Sequence, residues 1–249
     1  MNGNVIELNS IYKKFYKDED VKKKYTKKII KSLQTDFSQE TPYLDTDEFW
    51  VLKNISLQIK KGDSLAIIGD RESGKSILLK IITNRLQGDF GISHVNGRCT
   101  LLLDELRVGL SGYLNGWDNL YLKAAFMGMS KCSVNEKIEE MMNFAELDIK
   151  LLEKPWKYYT SEIKNRIMYS FIVHCRYDIF IVDGLTHVGN EIFASKCKEK
   201  IAEISRESTF IIATRHARKV KGLCDKLLVL EKGEIKFFGN IDDGLKSYG

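Results

Sequence analysis

The sequence predicts an α/β core that carries a helical insert. Short apolar segments typical of buried strands alternate with amphipathic segments typical of helices along most of the chain. A glycine-rich loop at residues 69–76 joins one such strand to one such helix. From residue 117 to 147 the pattern is helical instead, and another helix is predicted at 160–175. Together these observations place the helical insert at about residues 106–175.

The other elements follow from local patterns. A strand begins at residues 5–8, and a lysine-rich amphipathic helix is predicted at 18–33, followed by a polar loop over 35–48. The segment 117–147 is predicted as two helical pieces that are broken near residues 128–130. Further strands are predicted at 50–59, 64–68, 98–103, 179–182, 210–213, 227–230 and 234–238.

Composition sets limits on the function. The chain has 249 residues, of which 43% are hydrophobic, so it can bury a full core. Its five cysteines and four histidines show neither disulfide nor metal-ligand spacing. No stretch approaches the ~18 apolar residues that span a bilayer, so we expect a soluble chain whose membrane role requires a partner. Nine lysines at residues 13–31 concentrate the net charge of +5, which argues against a general nucleic-acid binder.

The loop at residues 69–76 predicts a phosphate site. It fits the P-loop pattern G-x-x-x-x-G-K-[ST] and lies between an apolar strand and a helix, the context that this chemistry needs. Backbone N–H groups of the loop would face phosphate oxygens, Lys75 would reach the β- and γ-phosphates, and the Ser76 hydroxyl would ligate Mg²⁺. We expect these residues to contact ATP: Gly69, Asp70, Arg71, Glu72, Ser73, Gly74, Lys75, Ser76 and Ile77.

A second buried strand supplies an acidic partner for the metal ion. Asp183 ends the apolar run at 179–182, and a P-loop site requires a carboxylate at the end of such a strand to hold Mg²⁺. The alternative is an aspartate that caps the next helix. The spacing of Asp183 from the P-loop favours the role of metal ligand over that of a helix cap.

The chain resembles the ATP-binding subunits of ABC transporters, and more narrowly those of bacterial exporters for O-antigen, capsular polysaccharide and teichoic acid. The resemblance rests on the P-loop together with segments such as Val-Asn-Gly-Arg at 95–98, Asn-Gly-Trp-Asp-Asn-Leu-Tyr-Leu at 115–122 and Leu-Glu-Lys-Gly-Glu-Ile at 230–235. It implies one nucleotide-binding domain over 1–249, with a RecA-like core at 1–105 and 176–249, an antiparallel β part and a helical subdomain at about 106–175.

The resemblance also implies partners and a location. Two such subunits, identical or different, sandwich two ATP molecules and drive a separate transmembrane permease at the cytoplasmic face of the membrane. Phe15 falls where an aromatic ring stacks on adenine, although it could equally be a core residue. Ser161 falls in the signature segment that reaches the partner's nucleotide. Glu105 falls near the Q-loop position, or is a solvated loop acid.

Several positions depart from the family pattern. Gly184 stands where the family has the glutamate that activates water, a group worth ~10²–10⁴-fold in rate. Arg215 occupies the switch-histidine position, unless a shift of one residue restores it as His216. Glu162 replaces the signature glycine, and Asn190 replaces the D-loop aspartate. In the P-loop itself, similar subunits have Asn and Gly at positions 71 and 72, where this chain has Arg and Glu.

These departures predict a subunit that binds Mg·ATP but hydrolyses it poorly. One alternative is a catalytically silent regulatory subunit beside an active paralogue. Another is a set of compensating residues that give ordinary activity. A soluble, non-transport ABC protein is a third alternative, but such proteins usually need tandem cassettes or long inserts that 249 residues do not hold.

Overall fold

The computed structural model describes residues 3–17, 42–101, 109–184 and 190–248. The predicted helix at 18–33, most of the polar loop after it, and Glu105 lie outside the described residues. By backbone contacts the chain divides into two compact units, Met1–Gly97 with Ile212–Gly249, and Arg98–Ile211. Among the described residues, no helix combines the length and apolar character needed to cross a bilayer.

The described secondary structure has nine strands and seven α-helices. The first half of the chain contains β1 (Asn4–Tyr16), β2 (Glu48–Lys60), β3 (Ser64–Ile68), α1 (Lys75–Ile82), β4 (Phe90–Val95), β5 (Cys99–Leu101) and α2 (Gly116–Phe126). The second half contains α3 (Lys131–Asn135), α4 (Ile138–Ala145), α5 (Ser161–His174), β6 (Ile179–Asp183), α6 (Glu191–Glu207), β7 (Thr209–Thr214), β8 (Lys226–Glu231), β9 (Glu234–Asn240) and α7 (Ile241–Tyr248). Short 3₁₀ helices lie at Ile149–Glu153, Trp156–Tyr158 and Ala217–Val220.

The first unit holds a three-stranded antiparallel sheet in the order β2-β1-β4. Alternate residues of β1 and β2 are buried, as expected when one face of an antiparallel sheet packs on a core. The buried face consists of Ile6, Leu8, Ile11, Leu52, Ile55, Leu57 and Ile59. This is the antiparallel part that the sequence predicts.

A second group of strands in the first unit carries the P-loop. β3 is buried along its whole length, pairs in parallel with β8, and β8 pairs antiparallel with β9. Ser64 donates a hydrogen bond from its hydroxyl to the Asp225 carboxylate (2.7 Å), and the Asp225 N–H donates to Ser64 Oγ (2.9 Å), so the two parallel strands begin in a defined register. A strand buried on both faces suits the continuous apolar run at 64–68.

The second unit contains β5 paired in parallel with β6, together with helices α2 to α6. The predicted helical segment at 117–147 forms three helices instead of two, which corrects the expectation. The first break lies where predicted, because Gly128 adopts φ +68° after α2. The second break was not predicted: Lys137 adopts φ −114° and ψ −3°, which interrupts the helical ladder between α3 and α4.

The turn between β8 and β9 packs closely against β2 and the P-loop. Gly233 donates its N–H to the Ser73 carbonyl (3.1 Å) and accepts a hydrogen bond from the Lys53 N–H (2.7 Å). A Cβ on Gly233 would overlap the Val51 carbonyl oxygen and lie 2.9 Å from the Val51 carbonyl carbon. Only glycine therefore fits where these three segments meet.

We expect Gly233→Ala to lower the free energy of unfolding by about 3 kcal/mol, because its Cβ meets rigid backbone at a φ of +81°. Gly62→Ala is the matched control, since Gly62 has a similar φ of +83° but open space around its Cβ. That control carries only the left-handed backbone penalty of ~1 kcal/mol. Urea denaturation of both variants measures the difference, and equal losses would contradict close packing at Gly233.

Candidate nucleotide site

The P-loop runs from Gly69, directly after β3, to the first turn of α1. Gly69 has no room for a side chain, because a Cβ would overlap the Leu230 carbonyl oxygen and lie 2.6 Å from Ser73 Oγ. At Gly74 the backbone adopts φ +102°, and a Cβ would lie 2.9 Å from the Val51 carbonyl oxygen. Both motif glycines are thus required by backbone packing as well as by the space that a phosphate needs.

Lys75 holds the loop in its wrapped conformation. Its ammonium donates hydrogen bonds to the Gly69 carbonyl (2.8 Å), the Asp70 carbonyl (2.6 Å) and Ser73 Oγ (3.1 Å). The loop therefore curls around a positive charge at its centre. That charge lies where the sequence predicts a contact with the β- and γ-phosphates.

The N-terminus of α1 offers an anion-binding end. Gly74 occupies the N-cap position without a side-chain cap, and the first turn contains no acidic residue. The first N–H groups of a helix lack intrahelical acceptors, and the helix dipole favours negative charge at this end. The Ser76 hydroxyl lies in this turn, on an exposed residue. The fold thus leaves these donors available to a phosphate group.

An open pocket of about 410 Å³ lies in front of the loop and within the first unit. It brings together Phe15 and the P-loop residues predicted from sequence, and it adds two residues of β2 that sequence reasoning missed. Its lining consists of Phe15, Phe49, Val51, Glu72, Ser73, Gly74, Lys75, Ser76 and Ile77. Gly69, Asp70 and Arg71 belong to the loop but do not line this pocket.

Phe15 lies near the end of β1 and is 37% exposed. Its ring faces the pocket, with the Lys13 ammonium 5.9 Å from the ring centroid. An exposed ring in this position suits stacking on a planar ligand better than it suits a core role. Phe49 could have been found in the sequence only by pairing β1 with β2 in the correct register.

Asp183 and Gly184 lie in the second unit. Asp183 is half-buried at the C-terminal end of β6, where the sequence predicts it. Gly184 adopts φ +84°, and among the described residues no atom lies within 4 Å of the place that a Cβ would take. Its backbone has a conformation that residues other than glycine rarely adopt.

Comparison with known proteins identifies this architecture. Residues 52–112, which include the P-loop, match the family model described as ABC transporter. Residues 52–112 therefore form part of an ABC transporter domain. The resemblance predicted from the sequence is thereby confirmed.

Full-length relatives point to one branch of the ABC family. The chain is 32% identical over 231 residues to the teichoic acids export ATP-binding protein TagH of Shouchella clausii, covering 92% of this chain and 63% of that protein. Identity to the Lactococcus lactis protein of the same name is 30%, covering 100% and 52%. The ABC transporter protein AbcA of Aeromonas salmonicida is 31% identical, covering 80% and 64%. The chain thus spans 52–64% of the length of these three relatives.

Solved structures of ABC cassettes confirm the predicted α/β fold. A structure described as the ATP binding subunit of an ABC transporter superposes with a TM-score of 0.70 at 16% identity, covering 98% of this chain and 93% of that one. A dimeric cassette in a post-hydrolysis state bound to ADP and Pi superposes with a TM-score of 0.67, also at 16% identity, covering 95% and 98%. At this identity the likeness establishes the fold.

The segment at the ABC signature position begins helix α5. Ser161 is exposed in the first turn, and the N-cap is the preceding Thr160, whose hydroxyl accepts a hydrogen bond from the Ile163 N–H (3.2 Å). The Glu162 carboxylate forms an ion pair with Arg166 Nη2 (3.0 Å) one turn along the helix. This end of α5 therefore presents a carboxylate, whereas the first turn of α1 contains no acidic residue.

Arg166 ties this carboxylate into the second unit. Arg166 is buried, and its Nη1 lies 3.1 Å from the Glu146 carboxylate. The guanidinium carbon lies 4.8 Å from the centroid of the Phe193 ring on α6. Glu162, whose side chain is 54% exposed, thus forms an ion pair with a buried arginine at the start of α5.

The positions after β7 complete the predicted set. The strand ends at Thr214, and Arg215 and His216 follow it as exposed residues of the first unit. The His216 N–H donates to the Thr214 hydroxyl (3.1 Å). Asn190, in the second unit, caps α6 by accepting a hydrogen bond from the Phe193 N–H (2.9 Å).

Glu72 has a strained backbone and adds a negative charge at the pocket, and its substitution tests both features. Its backbone has φ +66°, a conformation that costs a non-glycine residue about 1 kcal/mol, and Glu72 is among the residues that line the pocket. We expect Glu72→Gln to tighten Mg·ATP binding by about two- to fivefold, since it removes one exposed like charge. Glu72→Gly should do the same and also raise the free energy of unfolding by about 1 kcal/mol.

Titration calorimetry and urea denaturation of the two variants separate charge from strain. If Glu72→Gln leaves the affinity unchanged, the carboxylate does not act on the phosphates. If Glu72→Gly is no more stable than Glu72→Gln, the left-handed backbone at this position carries no penalty.

Proposed function

We propose that the chain is the ATP-binding part of an ABC exporter for a surface polysaccharide of the teichoic acid type. It binds Mg·ATP at the P-loop and drives or gates a separate transmembrane subunit, hydrolysing the nucleotide slowly. This chain then acts at the cytoplasmic face of the membrane, within a dimer of identical or different nucleotide-binding subunits. The observation that carries the proposal is the pocket that joins an exposed aromatic residue to an intact P-loop.

The residues present fit Mg·ATP. Lys75 supplies a positive charge inside the curled loop, and the first turn of α1, whose N-cap Gly74 has no side-chain cap, supplies N–H donors that can face phosphate oxygens. Phe15 supplies a flat apolar surface for the base. Ser76 and Asp183 remain the proposed Mg²⁺ ligands, and bound Mg²⁺ would offset the charge of the phosphates.

Slow hydrolysis is proposed because three groups that act on the reacting γ-phosphate or its water are replaced. Gly184 has no group that accepts a proton, and its left-handed backbone disfavours a simple replacement by glutamate. Glu162 places negative charge where the family presents a glycine to the partner's nucleotide. Arg215 stands in place of the switch histidine, and its guanidinium could contact a phosphate as a fixed cation.

A regulatory role beside an active paralogue is the second candidate. The Glu162–Arg166–Glu146 cluster favours it, because it fixes a carboxylate at the signature end of α5. In that arrangement this chain contributes a site that binds ATP and closes, while the paralogue supplies a site that turns over. The rate of ATP hydrolysis, measured for the purified chain alone and then with the candidate paralogue, distinguishes the two roles. Only the regulatory role predicts hydrolysis that depends on the second chain.

The decisive test pairs equilibrium binding of Mg·ATP with steady-state phosphate release on the purified protein. We expect measurable binding in the wild type, and at least a tenfold weaker affinity in Lys75→Ala, because the loop loses its central charge. Phosphate release by the wild type should be no faster than release by Lys75→Ala. Lys80→Ala is the matched control, since Lys80 lies in the last turn of the same helix, and should leave ATP affinity unchanged.

The outcomes separate the parts of the proposal. Absence of Mg·ATP binding in the folded wild type would overturn the nucleotide function altogether. Binding with phosphate release well above the Lys75→Ala variant would overturn slow hydrolysis alone and assign the positioning of water to another group. Equal losses of affinity in Lys75→Ala and Lys80→Ala would point to a general effect on α1.

A further inference from the structure

We infer that Phe49 is a second base-contacting residue and that, with Phe15, it makes the site select nucleotides by stacking area instead of by hydrogen bonds. This inference rests on the proposed function and adds a residue and a base preference to it. The pocket would then accept Mg·ATP and Mg·GTP with similar affinity and bind the smaller pyrimidine nucleotides more weakly.

The register of the sheet brings the two rings together. Phe15 on β1 pairs directly with Phe49 on β2. Directly opposed residues of an antiparallel pair project from the same face, with their Cβ atoms about 5 Å apart. Both side chains line the pocket in front of the P-loop. The two strands thus present two neighbouring aromatic rings to the same ligand.

Trp50, the neighbour of Phe49 on β2, is an aromatic residue that packs within the sheet. Successive side chains of a strand point to opposite faces, so Trp50 projects away from Phe49. The Trp50 ring packs edge-on against Tyr12 at 5.3 Å and Phe90 at 6.1 Å between centroids. Phe49, in contrast, is 43% exposed. On β2, Trp50 therefore packs against other aromatic residues, whereas Phe49 faces the pocket.

The pocket separates polar and apolar groups. Its polar side chains, among the described lining residues, all belong to the P-loop or the first turn of α1: Glu72, Ser73, Lys75 and Ser76. The remaining lining side chains are Phe15, Phe49, Val51 and Ile77. These apolar side chains cannot recognise the hydrogen-bonding edge that distinguishes adenine from guanine. Stacking is tolerant of base identity because every base has a π-face, and a purine offers more area than a pyrimidine.

The test compares Phe49→Ala, Phe15→Ala and Phe238→Ala by titration with Mg·ATP, Mg·GTP, Mg·CTP and magnesium tripolyphosphate. Phe238 is the matched control, since it is 40% exposed on β9 and does not line the pocket. In the wild type we expect similar affinities for ATP and GTP and weaker binding of CTP. Phe49→Ala should weaken ATP and GTP by roughly five- to tenfold and leave tripolyphosphate unchanged. Phe238→Ala should change none of the four affinities.

Phe49→Trp separates stacking from a merely structural role, because it keeps a π-surface and should restore ATP affinity to within about twofold. An equal loss of ATP and tripolyphosphate affinity in Phe49→Ala would overturn the inference by showing a disturbed P-loop. Wild-type protein that binds ATP with no effect of Phe49→Ala would overturn it while leaving the proposed function intact. Folded wild-type protein that binds neither ATP nor tripolyphosphate would overturn both.

Discussion

The first unit depends on a backbone junction at which the P-loop, β2 and the β8–β9 turn meet. Gly233 bonds to Ser73 on one side and to Lys53 on the other, while Gly74 packs against the Val51 carbonyl. Backbone atoms cannot move out of the way as side chains can, so the junction sets the position of the loop relative to β2. Because β2 also carries Phe49, the junction fixes the distance between the P-loop and the aromatic residues that line the same pocket.

The sequence predicted those parts of this site whose residues are contiguous in the chain. The strand, the loop and the helix of the P-loop are contiguous, so pattern and spacing were enough to find them. Phe49 could not be found in that way, because its place in the pocket comes from pairing with Phe15 across 33 intervening residues. The break at Lys137 was missed for a related reason, since propensity alone continues a helix that the backbone at Lys137 interrupts.

The departures from the family pattern could be found in the sequence, but their structural surroundings could not. Residue identity alone shows that Glu72 and Gly184 differ from the family. The structure adds that Glu72 retains a left-handed backbone (φ +66°) at a position where similar subunits have glycine. It adds that the Glu162 carboxylate forms an ion pair with Arg166, one turn along α5. Sequence pattern carries neither backbone strain nor ion-pair partners, because both arise from three-dimensional neighbours.

These observations separate the functions that depend on backbone geometry from those that depend on single side chains. Phosphate binding at a P-loop relies mostly on N–H groups, glycine geometry and one lysine, and each of these persists in a packed, well-defined form. In the proposed function, water activation and the contact with a partner's nucleotide rely on single side chains, and we assign those positions to Gly184, Arg215 and Glu162. A loop whose conformation is required by the surrounding fold is preserved as long as the fold is. A catalytic side chain has no such protection, and this difference is the physical reason why we propose that the chain binds Mg·ATP but turns it over slowly.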